Sequence, residues 1–250
     1  MRKAIGRWAA SLATLTIAWW AASITAPHNA VPSPHDTLAA LAGLVLSGQL
    51  LPAVALTLAR VVLAYSVALA AGVLIGVAGL ASRLFQEITY PIISFVVVTP
   101  AFAFVPLLML IVGLNEWLVF WSVVICVSFP IAIALYDAGK SIDPTLIDAA
   151  KVCGASKWGT LRYVVLPLAI THVFALAKVE AGHAWRMVFV TEYLALTSGL
   201  GGLMIRAYAL MRMDEVLALV IVLGALALAT QKGLEALENR LLTWHSPTTL

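Results

Sequence analysis

Long runs of apolar residues, separated by short polar segments, extend along most of the chain. Several of these runs approach or exceed the roughly 20 residues that a helix needs to cross the hydrocarbon core of a bilayer. The predicted spans are 8–26, 53–80, 91–112, 117–137, 169–193 and 214–236. The pattern predicts an all-α, polytopic membrane protein with about six transmembrane helices, in which residues 1–250 form a single transmembrane domain.

The first span follows Arg2, Lys3 and Arg7, an arrangement that also occurs at the start of signal peptides. The apolar run from Trp8 to Ala26 has about 19 residues, however, whereas the apolar region of a signal peptide has roughly 7–15. We therefore expect this segment to remain in the protein as a span.

The basic residues predict the orientation, because cytoplasmic loops of membrane proteins carry an excess of lysine and arginine. If the N-terminus is cytoplasmic, the basic residues on that side are Arg2, Lys3, Arg7, Arg83, Lys140, Lys151, Lys157, Arg162, Lys232 and Arg240. Only Arg206 and Arg212 then lie outside. The same orientation makes both termini cytoplasmic.

Two outer segments connect the spans. Ser33, Asp36 or Thr37 can cap a short helix from Leu38 to Leu46 that ends near Gly48 and is too short to cross a membrane. The glycine-rich segment 198–202 is predicted to be a flexible turn on the same side.

The longest polar segment between spans is residues 138–168, which we call the coupling segment. Asp143 followed by Pro144 is a favourable helix start, because Asp can cap the first amide groups and Pro fits the first turn. The sequence predicts a helix over 144–153, a turn at Gly154, a second helical piece over 158–165, and Pro167 at the start of the next span. Two small residues, Ala149 and Ala150, would let a second protein approach closely.

The spacing within this segment resembles a known loop. Asp148-Ala149-Ala150 is followed after three residues by Gly154, and then, after nine more, by Val164 and by Leu166-Pro167. Permease subunits of bacterial ABC importers carry the same pattern with Glu and Ile where this chain has Asp148 and Val164. The alternative interpretation is an ordinary amphipathic connector.

The resemblance covers residues 31 to 244 and is closest to the permeases for nitrate, sulfonates and taurine. The residues that carry it are Pro32-Ser33-Pro34, Gly48, Thr57 to Arg60, Gly72, Gly76, Gly113, Asp143-Pro144, Ala184-Trp185, Glu192 and Gly199-Leu200-Gly201. The chain departs from that pattern at Asp148, at Lys178, where Arg is more usual, and at His183 and Arg186, where apolar residues are common.

The resemblance implies the pore-forming half of an ATP-driven importer in the bacterial cytoplasmic (inner) membrane. It implies a second permease copy, two cytoplasmic ATPase subunits that bind ATP and Mg, and an external solute-binding protein. This chain itself would be no enzyme and would hold no cofactor. The implied ATPase-coupling residues are Asp148, Ala149, Ala150, Gly154, Ala155, Leu166 and Pro167. The implied substrate is a small anion such as a sulfonate, taurine or nitrate.

Charged residues inside spans are costly in lipid and normally face the bundle interior or a water-filled path. Glu180, His183 and Arg186 follow one another at every third position, so one face of the fifth span is polar. Arg186 can attract an oxyanion, because a guanidinium matches its geometry. These three residues and Glu192, near the outer gate, are the candidate pathway residues, and structural pairing with other helices is the alternative.

Two further intramembrane cations have structural interpretations. Arg60, in the second span, is expected to form an ion pair, and Lys178 is expected to extend towards the cytoplasmic interface. Small residues in the second span, Ala68, Gly72, Gly76 and Gly79, predict close packing against another helix. Prolines 91, 100 and 106 predict kinks in the third span, whose freed carbonyl groups can line a cavity.

Composition and motifs exclude other classes. Hydrophobic residues make up 62% of the chain and charged residues 11%, against about 25% charged in soluble domains. The net charge of +3 gives no indication of nucleic acid. Gly139-Lys140-Ser141 lacks the first glycine and the preceding strand of a phosphate-binding loop. Cys126 and Cys153 are far apart, and no metal-ligand spacing occurs.

Three alternatives stay open at this stage. An ion-gradient-driven transporter would use Glu180, His183 and Arg186 as a proton relay and would show inverted repeats, which we do not find in the sequence. An intramembrane enzyme would need a nucleophile or a metal site at span depth. An ABC importer for a heterocycle related to thiamine precursors shares every feature of the main hypothesis except the substrate.

Overall fold

The computed structural model describes residues 2–25, 31–195 and 198–241, and Trp244, near the end of the predicted family resemblance, lies outside them. The described residues form helices and turns without strands. In chain order the helices are α1 (Arg2–Thr25), α2 (Pro34–Leu46), α3 (Leu50–Ala81), α4 (Arg83–Val98), α5 (Phe104–Val112), α6 (Glu116–Lys140), α7 (Pro144–Val152), α8 (Lys157–Thr160), α9 (Leu166–Leu194), α10 (Leu200–Ala209) and α11 (Met213–Leu241). The predicted all-α fold is confirmed.

Among the described residues, three helices are long and apolar enough to cross a membrane: α3, α6 and residues 213–238 of α11. The number of candidate spans in this part of the chain rises to five if each of two bent pairs forms one span, namely α4 with residues 101–112, and residues 157–170 with residues 172–194. The helix α1 coincides with the first predicted span but is not among these candidates. The structure therefore confirms a polytopic membrane protein, and the predicted number of six spans is not confirmed.

The helices α3, α6 and α9 form the core of the bundle. Three glycines on one face of α3 lie directly against α6: Gly72 faces Ser128 and Ile131, Gly76 faces Leu135, and Gly79 faces the ring of Tyr136. A Cβ atom at Gly76 would lie 2.7 Å from the Leu135 Cβ, far inside van der Waals contact. The predicted small-residue packing surface is thus present, and it brings α3 close to α6.

The third predicted span is broken at Pro100. The helix α4 ends at Val98, a single 3₁₀ turn covers Ala101–Ala103, and α5 continues at an angle of 97°. Thr99 is extended, with φ −72° and ψ 133°, because the residue before a proline is disfavoured in the helical region. The predicted boundaries 91–112 are wrong, since α4 begins at Arg83. Pro91 and Pro106 lie within helices, so only Pro100 produces a break.

The short helix α2 begins at Pro34, four residues earlier than predicted. The Ser33 hydroxyl oxygen accepts from the Asp36 amide at 3.1 Å, and the same hydroxyl donates to the Asp36 carboxylate at 2.6 Å. This hydroxyl lowers the pKa of Asp36. The helix ends before Gly48, whose φ of +71° is accessible to glycine at little cost.

The segment 198–202 was predicted to be a flexible turn, and this prediction is wrong from Leu200 onward. Gly199 has φ +94° and precedes α10, in which Leu200, Gly201 and Leu203 are buried. The reason is that polar groups of α3 and α9 bind the first amide groups of α10, which fixes its start within the bundle.

We predict that Gly76→Ala destabilises the protein, because the new methyl group overlaps Leu135 and overpacking costs about 1–3 kcal/mol. The matched control is Gly224→Ala in α11, where no atom lies within 4 Å of the new Cβ. That change should be neutral or stabilising by up to about 1 kcal/mol, as Ala favours helix. Thermal unfolding of both variants in detergent measures the difference, and equal midpoints would contradict the α3–α6 packing.

Candidate functional site

The coupling segment begins with a capped helix. The Asp143 carboxylate accepts from the Thr145 amide at 2.8 Å, and Pro144 occupies the first helical position. The same backbone hydrogen bond lowers the pKa of Asp143. The helix that follows, α7, ends at Val152, one residue before the predicted end.

The end of α7 is a Schellman motif. The Gly154 amide donates to the Lys151 carbonyl at 2.9 Å, and the Ala155 amide donates to the Ala150 carbonyl at 3.0 Å. These two bonds need a left-handed residue between them, and Gly154 supplies it with φ +84°. No atom lies within 4 Å of a Cβ built on Gly154, so this turn has open space around it.

The predicted docking surface is accessible. Asp148 and Ala149 are exposed, and Asp148 pairs with Lys151 at 2.9 Å on the helix surface. Two apolar side chains of α7 are exposed beside them, Leu146 by 47% and Val152 by 87%. A short helix that presents small and apolar residues outside the candidate spans suits contact with a second protein.

From α8 onward, the coupling segment continues into α9 without a non-helical break. The Ser156 hydroxyl caps α8 by accepting from the Gly159 amide at 3.1 Å. A π turn over Leu161–Val165 joins α8 to α9, and the Leu166 amide donates to the Leu161 carbonyl. Pro167 is accommodated in the first turn of α9, where its missing N–H group costs least. Leu166 is half-buried and Pro167 is exposed.

A cavity of about 510 Å³ opens beside α9, at the break between α4 and α5. Its walls come from α4 and the turn after it, from α6 and from α9. The lining residues are Val96, Val97, Val98, Thr99, Pro100, Ala101, Phe102, Ile125, Cys126, Pro130, Glu180, His183, Arg186, Met187 and Val190. The break at Pro100 and three of the four candidate pathway residues are thus brought together.

The charged residues of α9 differ in their surroundings. The Glu180 side chain is only 3% exposed, and its carboxylate lies 3.0 Å from Nδ1 of His183, whose side chain is 43% exposed. Arg186 is exposed, and its Nε donates to the Gly182 carbonyl at 3.2 Å. Lys178 is directed to the last helix, where it pairs with Glu238 of α11.

Arg60 is the centre of a buried ion-pair network at the ends of the helices that lie farthest from the coupling segment. Its Nη1 donates to the Glu192 carboxylate of α9 at 2.7 Å and to the Ser198 carbonyl at 2.8 Å. Its Nε donates to Glu116, at the start of α6, at 2.8 Å, and Nη2 also contacts that carboxylate. Arg60 is 7% exposed and Glu192 is fully buried, whereas Glu116 is 66% exposed.

Glu192 also organises the start of α10. Its carboxylate accepts from the Thr57 hydroxyl at 3.0 Å and from the Gly201 amide at 3.0 Å. The Thr57 hydroxyl oxygen in turn accepts from the Leu200 amide at 2.9 Å. The structure therefore places Glu192 inside this network and not among the lining residues of the cavity.

Sequence reasoning did not single out Glu116 or Ser198 as partners of Arg60. A signal was available, because an arginine a few turns inside a span needs a carboxylate at the same depth. Glu116 stands at the beginning of an apolar run and Glu192 at the end of another. Within the described residues, no group of three or more His, Cys, Asp or Glu side chains could hold a metal ion.

We predict that Arg60→Met lowers the free energy of unfolding by about 3–5 kcal/mol, because it leaves the Glu192 carboxylate buried without its cation. The control is Glu116→Gln, which alters the exposed side of the same network and should cost about 1 kcal/mol or less. Thermal unfolding in detergent compares the two. A larger loss in Glu116→Gln than in Arg60→Met would contradict the central role of Arg60.

We predict that Asp143→Ala speeds amide hydrogen exchange of residues 145–152, because α7 loses its cap. The pKa of Asp143 is lowered in the folded protein, so the stabilisation is present above the ordinary aspartate pKa and is lost as pH falls through the lowered one. The difference from Asp143→Ala should therefore shrink in acid, after correction for intrinsic exchange. An Asp143→Asn variant keeps a capping oxygen that does not titrate, and serves as the control. If the difference in exchange rate between Asp143→Ala and wild type does not change with pH, the assignment of the Asp143 carboxylate as the cap is contradicted.

Comparison with protein families gives one match. The family of binding-protein-dependent transport system inner membrane components matches residues 68–242. That range includes α6, α9 and the second part of α3, together with the coupling segment and the lining residues of the cavity.

Individual relatives are similar over most of the chain. The taurine transport system permease protein TauC of Escherichia coli (strain K12) is 28% identical over 94% of this chain and 88% of its own length. A protein of Bacillus subtilis (strain 168), named as the aliphatic sulfonates transport permease SsuC, is 23% identical over 86% of this chain and 78% of its own.

Two solved structures share the fold. An amino acid ABC transporter with histidines superposes with a TM-score of 0.67 over 80% of this chain and 98% of the matched chain, at 17% identity. The inward-facing MetNI methionine ABC transporter superposes with a TM-score of 0.58 over 76% of this chain and 97% of its own, at 20% identity.

Proposed function

Because the chain belongs to the family of binding-protein-dependent transport system inner membrane components, we propose that it forms the membrane path of an ATP-driven importer for a small anion. The family is a membrane component without enzymatic activity of its own. Hydrolysis of ATP, with its Mg ion, is assigned to a separate cytoplasmic ATPase subunit.

The observation that carries the proposal is the continuity of α9 with the coupling segment. The Schellman turn at Gly154 joins the exposed helix α7 to α8, and the π turn at Leu161–Val165 joins α8 to α9. Further along, Glu180, His183 and Arg186 line the cavity. A displacement of α7 by a partner would pass through the Gly154 turn into the helical run of α8 and α9 and so to the cavity wall, which is what coupling of hydrolysis to transport requires.

The ATPase contact is assigned to the exposed face of α7 and the turn after it. Asp148 and Ala149 provide a small polar surface, and Leu146 and Val152 provide apolar contact area beside it. Gly154 keeps the turn compact, since it has no side chain where a partner approaches. Ala150 and Ala155 are half-buried and hold the turn through the Schellman bonds. Leu166 and Pro167 connect the segment to α9.

The substrate class rests on two arguments. Relatives named as taurine and aliphatic sulfonates permeases are 23–28% identical to this chain. In addition, Arg186 presents an exposed guanidinium to the cavity, and a guanidinium binds oxyanions through two parallel hydrogen bonds. A sulfonate, taurine or nitrate is small enough for a cavity of about 510 Å³.

The remaining partners follow from the cavity and from the charges. The cavity is open on one side, and a second copy of the chain would close it into a path between two subunits. The basic residues assign the coupling segment and both termini to the cytoplasmic face of the inner membrane. The capped helix α2 and the start of α10 then lie on the outer face, where a solute-binding protein delivers substrate.

The experiment is co-purification of the detergent-solubilised chain with the ATPase subunit, comparing wild type with Gly154→Arg. We expect wild type to capture the ATPase and the variant to lose it, because a large charged side chain occupies the turn. Loss of at least tenfold in captured ATPase is the expected magnitude.

The matched control is Gly48→Arg. Gly48 is also a left-handed glycine after a helix, with φ +71° and no atom within 4 Å of a new Cβ. It therefore carries the same backbone strain but lies after α2, on the opposite face. If wild type captures no ATPase, or if both variants retain it equally, the coupling assignment fails, and a gradient-driven mechanism that uses the Glu180–His183 pair replaces it.

A further inference from the structure

Charges of opposite sign line the same cavity. Glu180 and Arg186 both contribute to its wall, with His183 between them along α9. The other lining residues have side chains of uncharged type, among them the thiol of Cys126. A cavity for a plain anion has no need of a carboxylate, which repels such a ligand and is costly to bury.

Arg186 is available to a ligand. Within the described residues, no carboxylate lies within 4.0 Å of its guanidinium, and its one hydrogen bond is from Nε to the Gly182 carbonyl. The terminal N–H groups remain for an oxyanion, which a guanidinium binds in a forked geometry.

Glu180 makes one direct contact with an ionisable side chain among the described residues. In the described part of the chain its carboxylate pairs with His183 alone, at 3.0 Å, and the His183 side chain is 43% exposed to the cavity. A buried carboxylate needs a cation or several donors. A cationic nitrogen on a ligand can take the place of His183, whereas an apolar ligand cannot.

The two charges are close enough for one small molecule to reach both. Glu180 and Arg186 are six residues apart on α9, and side chains on a helix lean towards its N-terminus. The bond from Arg186 to the Gly182 carbonyl fixes this direction and brings the guanidinium one turn back towards Glu180. Six residues of α-helix correspond to about 9 Å along the axis, and both side chains line the same cavity. A molecule whose two charges are joined by two or three carbons can span this distance with one hydrogen bond of about 2.9 Å at each end.

Resting on the importer function above, we propose that this cavity recognises a zwitterion, with Arg186 binding its oxyanion, Glu180 its cationic nitrogen, and His183 covering Glu180 when the site is empty. Glu180 is then the residue that distinguishes amino-substituted sulfonates from simple ones.

The test uses Cys126, which lines the cavity, in a Cys153→Ser chain, because Cys153 is exposed and would also react. Methyl methanethiosulfonate is uncharged: the Cys126 thiolate attacks its sulfur, forms a methyl disulfide and releases methanesulfinate. Intact mass spectrometry of the detergent-solubilised chain gives the rate. The rate is measured with increasing 2-aminoethanesulfonate, ethanesulfonate or ethylammonium.

We expect 2-aminoethanesulfonate to slow the reaction at concentrations at least tenfold lower than ethanesulfonate. Glu180→Gln, of the same shape, should remove that advantage and leave ethanesulfonate unchanged or better. Arg186→Gln should weaken both sulfonates. The control is Arg206→Gln, an exposed arginine of α10 that does not line the cavity, which should leave all three curves unchanged.

The outcomes separate the two proposals. Equal protection by the two sulfonates, or an advantage that survives Glu180→Gln, overturns zwitterion recognition and leaves the anion importer in place. Stronger protection by ethylammonium than by either sulfonate overturns both the zwitterion and the anion assignment. Protection by none of the three also overturns both, while ATPase capture still tests the importer independently. If Glu180→Gln does not fold, the comparison of 2-aminoethanesulfonate with ethanesulfonate in the Cys153→Ser chain still tests zwitterion recognition.

Discussion

The ion pairs of the buried Arg60 guanidinium are the interaction on which one half of the bundle depends, the half opposite the coupling segment. It contacts α6 through Glu116, α9 through Glu192 and the connection to α10 through Ser198. A charge with 7% of its side chain exposed is tolerated only with such partners, so these elements cannot separate without exposing or orphaning it. The first amide groups of α10 are satisfied by the same network.

The half of the bundle nearer the coupling segment is stabilised differently, by close packing of small residues instead of ion pairs. Gly72, Gly76 and Gly79 bring α3 against α6, and in lipid such contact is a main source of helix association. The cavity lies beside the break at Pro100, away from both the ion-pair network and the glycine packing. The ion-pair network at one end of the bundle and the glycine packing along α3 thus leave a cavity of about 510 Å³ between them, with the charged groups of α9 in its wall.

The sequence predicted those features whose cause is local. Apolar length predicted the long helices, and Asp143-Pro144 and Gly154 predicted both ends of α7 to within a residue. The sequence predicted a kink at Pro100, because proline disrupts helix locally. It did not predict the angle of 97°, because that angle depends on contacts with neighbouring helices. The order of α10 and the burial of Glu192 depend on contacts over more than 130 residues with α3, which no local pattern contains. The same is true of the cavity.

The π turn between α8 and α9 has a consequence for how this region can change in length. Each residue added to or removed from a continuous helical run rotates everything beyond it by about 100°. A single deletion within 161–165 can convert the wide π turn into a regular α turn, which leaves Glu180, His183 and Arg186 facing the cavity. A deletion in the regular helix between Leu166 and Glu180 would instead turn these three residues away from the cavity. The π turn is therefore the part of this helical run that best tolerates the loss of one residue.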